Sequence, residues 1–191
     1  MGERHRGGMA PDARSRKALL DIDVSERFPS AMTRLAQTLA DYARYHRDHR
    51  NVMTHALGIP LIVLSLNVLL AKPVWIGPVW IVTPSVALSV LAAIFYLKLD
   101  FRWGSVMTVL LALLCWAGFA IAQISTTAWL GGGATLFVGG WALQFLGHHY
   151  EGRKPAFIDD MKSLLVGPLF VAAEAAFALG LARELEEQVR E

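Results

Sequence analysis

The sequence predicts an all-α integral membrane helical bundle, with four to five membrane helices preceded by an amphipathic helix. The first observation behind this is the placement of charge. No Asp, Glu, Lys or Arg occurs from Asn51 to Ala71, from Pro73 to Leu97 or from Trp103 to Tyr150, runs of 21, 25 and 48 residues. Crossing about 30 Å of hydrocarbon takes roughly 20 apolar residues rising 1.5 Å each, so the first two runs fit one helix apiece and the third fits two. The second is composition, 54% hydrophobic against 18% charged residues, which together with the charge-free runs excludes a soluble globular reading. The third is the side on which the basic residues fall. With the N-terminus inside, 15 Lys and Arg face the inner side and 3 the outer, which places the N-terminus in the cytoplasm.

Residues 1–27 are rich in Gly, Arg and Asp without a sustained period and are expected to form a basic, disordered tail. Residues 28–191 are expected to form a single membrane-embedded domain. Its first element is an amphipathic helix over 28–50, opened by Pro29. Phe28, Met32, Leu35, Leu39, Tyr42 and His46 recur at three- and four-residue spacings on one stripe, with Arg34, Asp41 and Arg44 off it. That stripe fits either the membrane surface or another part of the protein.

The spans are expected at about 51–71, 79–97, 104–122, 128–148 and 164–182. Trp75 and Trp80 flank the second as an interfacial belt. QISTTAW divides the longest uncharged run, and Gly131, Gly132, Gly133, Gly139 and Gly140 in the fourth span allow close helix approach, within one chain or across a homo-oligomer. The fifth stretch contains Glu174 and leads into RELEEQVRE, read as the solvated finish of the same helix.

Several function classes fall away at this level. A net charge of +2 without a basic aromatic patch argues against nucleic acid as a partner. The single cysteine, Cys115, leaves no internal disulfide and no thiolate zinc site. The polar first 27 residues do not read as a cleavable signal, and MGERHR lacks the Ser or Thr of a myristoylation site.

The predicted topology gathers histidines. His46, His49 and His55 lie at the cytoplasmic entrance of the first span, and His148 and His149 at the cytoplasmic end of the fourth, so five of the six share one membrane face. Gln144, His148 and Glu151 are spaced for one helix face, with His149 turned about 100° away. Asn51 and His55 are likewise one turn apart. His46 and His55 stand nine residues apart, half a turn out of phase on a continuous helix, so both reach one site only if the chain bends between them, near Asn51. Imidazoles with a nearby carboxylate and no thiols suit iron, zinc, copper or nickel. Two or three His plus a carboxylate is a pattern of non-haem Fe(II) oxygen chemistry, and zinc hydrolysis uses similar ligands. Glu174, an ionisable group in an apolar stretch, is read as a further ligand, a group orienting one, or a carboxylate capping a contact between spans.

YARYHRDHRNVMTHALGIPL, with Tyr42, His46, Asn51, His55, Gly58 and Pro60, followed by WALQFLGHHYEGRKPAF and GPLFVAAE, resembles the 2-hydroxy fatty acid dioxygenase family of fungal endoplasmic reticulum and bacterial membranes. The resemblance runs from about Arg34 to Ala182, and the middle spans match only in being apolar. It implies an Fe(II)-dependent enzyme of fatty acid alpha-oxidation that uses O2 to shorten a 2-hydroxy fatty acid by one carbon. Carried over residue by residue, it implies His46, His55 and His148 as metal ligands and Glu151 and Glu174 as further ligands or supporting carboxylates. Asn51 and Gln144 would orient a ligand or the substrate head group. His49 and His149 depart from the family pattern and are kept as outer candidates. Arg153 and Lys154 are read mainly as positive-inside charges. The expected partners are a 2-hydroxy fatty acid, O2 and membrane lipid, and the expected location is a bacterial inner membrane rather than endoplasmic reticulum. Competing readings are a zinc-dependent membrane hydrolase with the same ligands and a non-catalytic lipid-binding scaffold.

Overall fold

The computed structural model describes residues 32–77, 81–152, 154 and 161–190. The expected tail over 1–27, the helix start at Phe28 and Pro29, and Arg153 lie outside them. The described chain is helical apart from one short hairpin: α1 (Arg34–Ala43), α2 (His49–Leu69), β1 (Trp75–Ile76), β2 (Ile81–Val82), α3 (Pro84–Leu99), α4 (Phe101–Ile124), a π turn (Thr127–Gly132), α5 (Gly133–Glu151), α6 (Ser163–Ala178) and α7 (Arg183–Arg190). Trp75 pairs with Val82 and Ile76 with Ile81, antiparallel.

Local chemistry sets the helix boundaries. Asp48 opens α2 by accepting from the Arg50 N–H at 2.8 Å, and Thr83 opens α3 by accepting from the Val86 N–H at 3.2 Å, with Pro84 in the first turn. Asp100 lies between α3 and α4, and its carboxylate accepts from the Trp103 N–H at 2.7 Å. At the far end of α6, Gly180 takes φ +69°. The Leu181 N–H bonds the Ala176 carbonyl and the Gly180 N–H the Phe177 carbonyl, the paired bonds of a glycine-terminated helix.

That termination corrects one expectation. RELEEQVRE does not finish the fifth apolar helix: α7 leaves α6 at 117°, and its Val189 is buried in the core that contains Leu35, Leu39 and Tyr42 of α1. Arg190 reaches back to Glu174 at 4.0 Å.

By length and composition, α2 and α4 qualify as membrane-crossing helices, and the bent pair α6–α7 makes a third if taken as one span. The α3 helix is apolar but only 16 residues long. At 21 residues, α2 measures about 31 Å, one hydrocarbon thickness. The apolar side chains of Leu91, Val109, Leu113 and Trp116 are exposed, as on lipid-facing helix surfaces.

Helices α2 and α5 pack antiparallel, and a seven-residue glycine stripe sets their register. A β-carbon on Gly133 would meet Leu69, one on Gly140 would lie 2.9 Å from the Gly58 carbonyl oxygen, and one on Gly147 would collide with Thr54 Oγ1 and Asn51 Oδ1. Close backbone approach of this kind is the usual role of small residues between membrane helices. Of the five glycines singled out from sequence, Gly133 and Gly140 serve it. Gly132 and Gly139 face open space and Gly131 meets only Thr127, because they fall off the seven-residue repeat that Gly147 continues. The register brings the start of α2 beside the end of α5.

Candidate metal centre

The nine-residue separation of His46 and His55 demands a break in the helix, and the break lies at residues 44–48, slightly earlier than the bend expected near Asn51. In the turn that ends α1, the Tyr45 N–H donates to the Tyr42 carbonyl and the His46 N–H to the Ala43 carbonyl. The turn lays the His46 ring flat on the Tyr42 ring, with centroids 4.2 Å apart and planes at 12°. Phe170 of α6 backs Tyr42 at 5.0 Å. His55 comes from the second turn of α2 and His148 from the last turn of α5, which the glycine stripe holds adjacent.

The three imidazoles form one buried cluster. Ring centroids lie 4.6 Å apart for His46 and His55, 4.9 Å for His55 and His148, and 5.4 Å for His46 and His148. One ring nitrogen from each can be chosen such that all lie within 4.8 Å of one another. All three residues are at least nine-tenths buried.

Hydrogen bonding fixes which nitrogens are available. His46 Nδ1 lies 2.9 Å from the Tyr42 carbonyl oxygen, and His55 Nδ1 lies 2.9 Å from the Asn51 carbonyl oxygen. A carbonyl only accepts, so both Nδ1 atoms carry the proton and both Nε2 lone pairs are left open, the arrangement commonly found behind metal-binding histidines. His46 Nε2 and His148 Nδ1 are buried without a protein partner. Burial holds the His46 pKa below its usual value, against the opposing effects of the Tyr42 hydrogen bond and the Glu151 charge, and so favours the neutral ring. A neutral imidazole is the ligating form.

Glu151 is placed with the supporting groups. Its Oε2 accepts from the Asp48 N–H at 2.9 Å and from Asn51 Nδ2 at 2.9 Å, and both carboxylate oxygens lie 3.1 Å from the Arg47 N. Burial raises its pKa, but the hydrogen bonds from Asn51, Asp48 and Arg47, together with attraction to His46, outweigh burial and leave the pKa lowered. The carboxylate thus ties the end of α5 to the loop carrying His46 and to the first turn of α2, where the helix dipole also favours negative charge. Asn51 belongs to the same chain of contacts, giving its amide to Glu151 and its carbonyl to His55.

The structure does not bring the remaining candidates to the cluster. Glu174 pairs with Arg190, and His49 and His149 are exposed. Gln144 does join it: buried one turn from His148, it lines the same cavity. That cavity, of about 240 Å³, is lined by the polar groups of Tyr42, the three imidazoles, Gln144 and Ser163 and by apolar side chains that include Ile59, Ile62, Val63, Leu66, Phe137 and Leu164. A second cavity of about 360 Å³, lined by Met107, Leu110, Leu111, Leu114 and Val171, shares Ile59, Val63 and Pro168 with it. Sequence reasoning missed Trp141, Phe170 and Gly147. Only Gly147 left a signal, in its seven-residue spacing from Gly140 and Gly133.

A buried three-histidine cluster, two of its Nδ1 atoms committed to main-chain carbonyls and one of its imidazoles carried by a helix long and apolar enough to cross a membrane, defines a candidate metalloprotein. Residues 32–179 match the family described as 2-hydroxy-palmitic acid dioxygenase Mpo1-like. A relative, the 2-hydroxy-palmitic acid dioxygenase MPO1 of Saccharomyces cerevisiae, is 32% identical over 154 residues, covering 80% of this chain and 85% of that protein. The chain belongs to the 2-hydroxy-palmitic acid dioxygenase Mpo1-like family. No solved structure matches it.

Proposed function

We propose that the protein is a membrane-embedded, Fe(II)-dependent dioxygenase of fatty acid alpha-oxidation, with His46, His55 and His148 holding the metal. The observation that carries this reading is the cluster of three buried, mutually close imidazoles, two of them with Nδ1 committed to main-chain carbonyls, in a chain related to a 2-hydroxy-palmitic acid dioxygenase. The donor set fits the ion. Three neutral nitrogens leave coordination positions for substrate and O2, and His46 Nε2 and His148 Nδ1 otherwise have no partner.

In the reaction proposed, carbon 1 of a 2-hydroxy fatty acid leaves as carbon dioxide and carbon 2 becomes the new carboxyl. Dioxygen accepts the four electrons and one molecule of water forms. When bound, iron supplies the one-electron chemistry that lets O2 react with a closed-shell organic acid. The protein's own part is positional. Tyr42 and Asn51 fix the His46 and His55 rings through their carbonyls. Glu151 holds the His46 loop against α5. The apolar walls of the cavity exclude water from the head group and accept the start of the acyl chain.

The shared wall of Ile59, Val63 and Pro168 supports a tail path into the second apolar cavity between α2, α4 and α6. We take α3, α5 and α6 as membrane-crossing with α2 and α4, α1 as an amphipathic helix, and the cytoplasmic face of a bacterial inner membrane as the location. The test is metal content and 2-hydroxy acid turnover in purified protein: stoichiometric iron with oxygen-dependent release of the one-carbon-shorter acid is expected.

A further inference from the structure

The cavity beside the imidazoles contains a polar group that the metal does not use. Gln144 is 6% exposed, and its Nε2 has no hydrogen-bond partner. A buried amide donor left unpaired costs about 1–3 kcal/mol, so such a group in a cavity wall is a candidate for pairing with a ligand. The backbone opposite makes room for it: a β-carbon on Gly58 of α2 would lie 2.5 Å from Gln144 Nε2. Gln144 stands four residues, about 6 Å along α5, from His148, so a head group beside the imidazoles is within reach of its amide.

The other lining groups narrow the acceptor. Among the described residues, no Lys, Arg, Asp or Glu lines this cavity. From the protein itself, a carboxylate entering it therefore meets only neutral donors, Gln144 together with Tyr42, Trp141 and Ser163. A carboxylate oxygen is also the strongest acceptor that a 2-hydroxy acid offers, since charge-assisted bonds are about twice as strong as neutral ones.

We propose that Gln144 is the residue that recognises the substrate's carboxylate, its Nε2–H donating to a carboxylate oxygen of a 2-hydroxy fatty acid whose head lies at the three imidazoles. This rests on the functional reading above and goes beyond it by assigning head-group selectivity to one side chain. Gln144 discriminates a fatty acid from a neutral lipid of the same length. The hydroxyl-bearing carbon is thereby held toward His46, His55 and His148, and the tail toward Ile59 and Val63.

The test is an anaerobic titration of the iron-loaded protein, followed by tryptophan fluorescence. The ligands are 2-hydroxypalmitic acid and the 1,2-diol of the same chain length. Wild type, Gln144→Leu and Gln144→Glu are compared, with iron content measured on each. Gln144→Leu is expected to keep wild-type iron and to weaken the acid about ten- to hundredfold, the cost of one hydrogen bond to a charged group, while leaving the diol within about twofold. Gln144→Glu is expected to weaken the acid further, through repulsion between two carboxylates. Equal weakening of acid and diol, unchanged acid affinity in Gln144→Leu, or loss of iron in both variants overturns the assignment while leaving the dioxygenase reading intact. A wild-type protein that does not bind the acid overturns the functional reading itself.

Discussion

Glu151 and Asn51 are joined by a hydrogen bond of 2.9 Å from Nδ2 to Oε2, and through it the last residue of α5 is tied to the residue whose carbonyl orients His55. The same carboxylate receives the Arg47 and Asp48 N–H groups, which frame the loop carrying His46. One carboxylate therefore holds all three segments that bring imidazoles together. Its worth is positional: Glu151→Gln keeps the size but removes the charge and one acceptor. We expect it to destabilise the protein by about 2 kcal/mol, on the scale of hydrogen bonds to a charged group, and to lower metal affinity while leaving the three imidazoles in place. Thermal melts and metal titrations of the two proteins check this.

Acid should reverse that contribution in a defined window. The pKa of Glu151 is lower in the folded protein than its ordinary value of 4.5. Its stabilisation is therefore complete above the unfolded pKa and is lost as pH falls through the folded one. Melting temperatures of metal-free wild type and Glu151→Gln should differ at pH 7 and converge well below pH 4.5. A gap that persists in acid would assign the effect of the substitution to packing.

Each histidine of the cluster should be needed for metal. His46→Ala, His55→Ala and His148→Ala are each expected to reduce bound iron by at least about tenfold, since two imidazoles hold a divalent ion much more weakly than three. His49→Ala and His149→Ala, at exposed positions, should retain wild-type iron. Elemental analysis of the five variants separates ligands from bystanders.

The glycine stripe gives a test of helix register. Gly140→Ala should destabilise by about 1–3 kcal/mol, because its β-carbon would lie 2.7 Å from Ile62 Cγ1 and 2.9 Å from the Gly58 carbonyl. Gly139→Ala, with nothing within 4 Å, should be neutral or slightly stabilising through helix propensity. Denaturation in matched detergent reads both.

Chain-length preference should follow Val63, which borders both cavities. Val63→Phe is expected to raise KM for long-chain 2-hydroxy acids about tenfold and to leave short-chain KM within about twofold, since burying each further CH2 is worth about 0.8 kcal/mol and only long tails pass this wall. Steady-state kinetics across a chain-length series measures it.

The site was more legible in the sequence than the helix count. Charge-free runs and the positive-inside bias placed His46, His55 and His148 on one face, because hydrophobicity is a property of long segments and survives without tertiary detail. Gln144 and His148 share a helix face by spacing alone. Which groups Glu151 bonds was not legible, because accepting main-chain N–H groups from a loop about a hundred residues away leaves no pattern in residue types. The pairing of Glu174 with Arg190 was not legible for a related reason: Arg190 lies on a helix that turns back after Gly180 ends α6. Among the described residues two helices, or three with the bent pair, are long and apolar enough to cross a membrane, against the four to five spans expected; α3 is only 16 residues long.

The most direct test of the central claim is dioxygen uptake by purified, iron-loaded protein given 2-hydroxypalmitic acid, with the acid product identified by mass. The account predicts one O2 consumed for each fatty acid shortened by one carbon, with uptake abolished in His55→Ala. Shortening that proceeds unchanged without O2, or in protein free of metal, would contradict it.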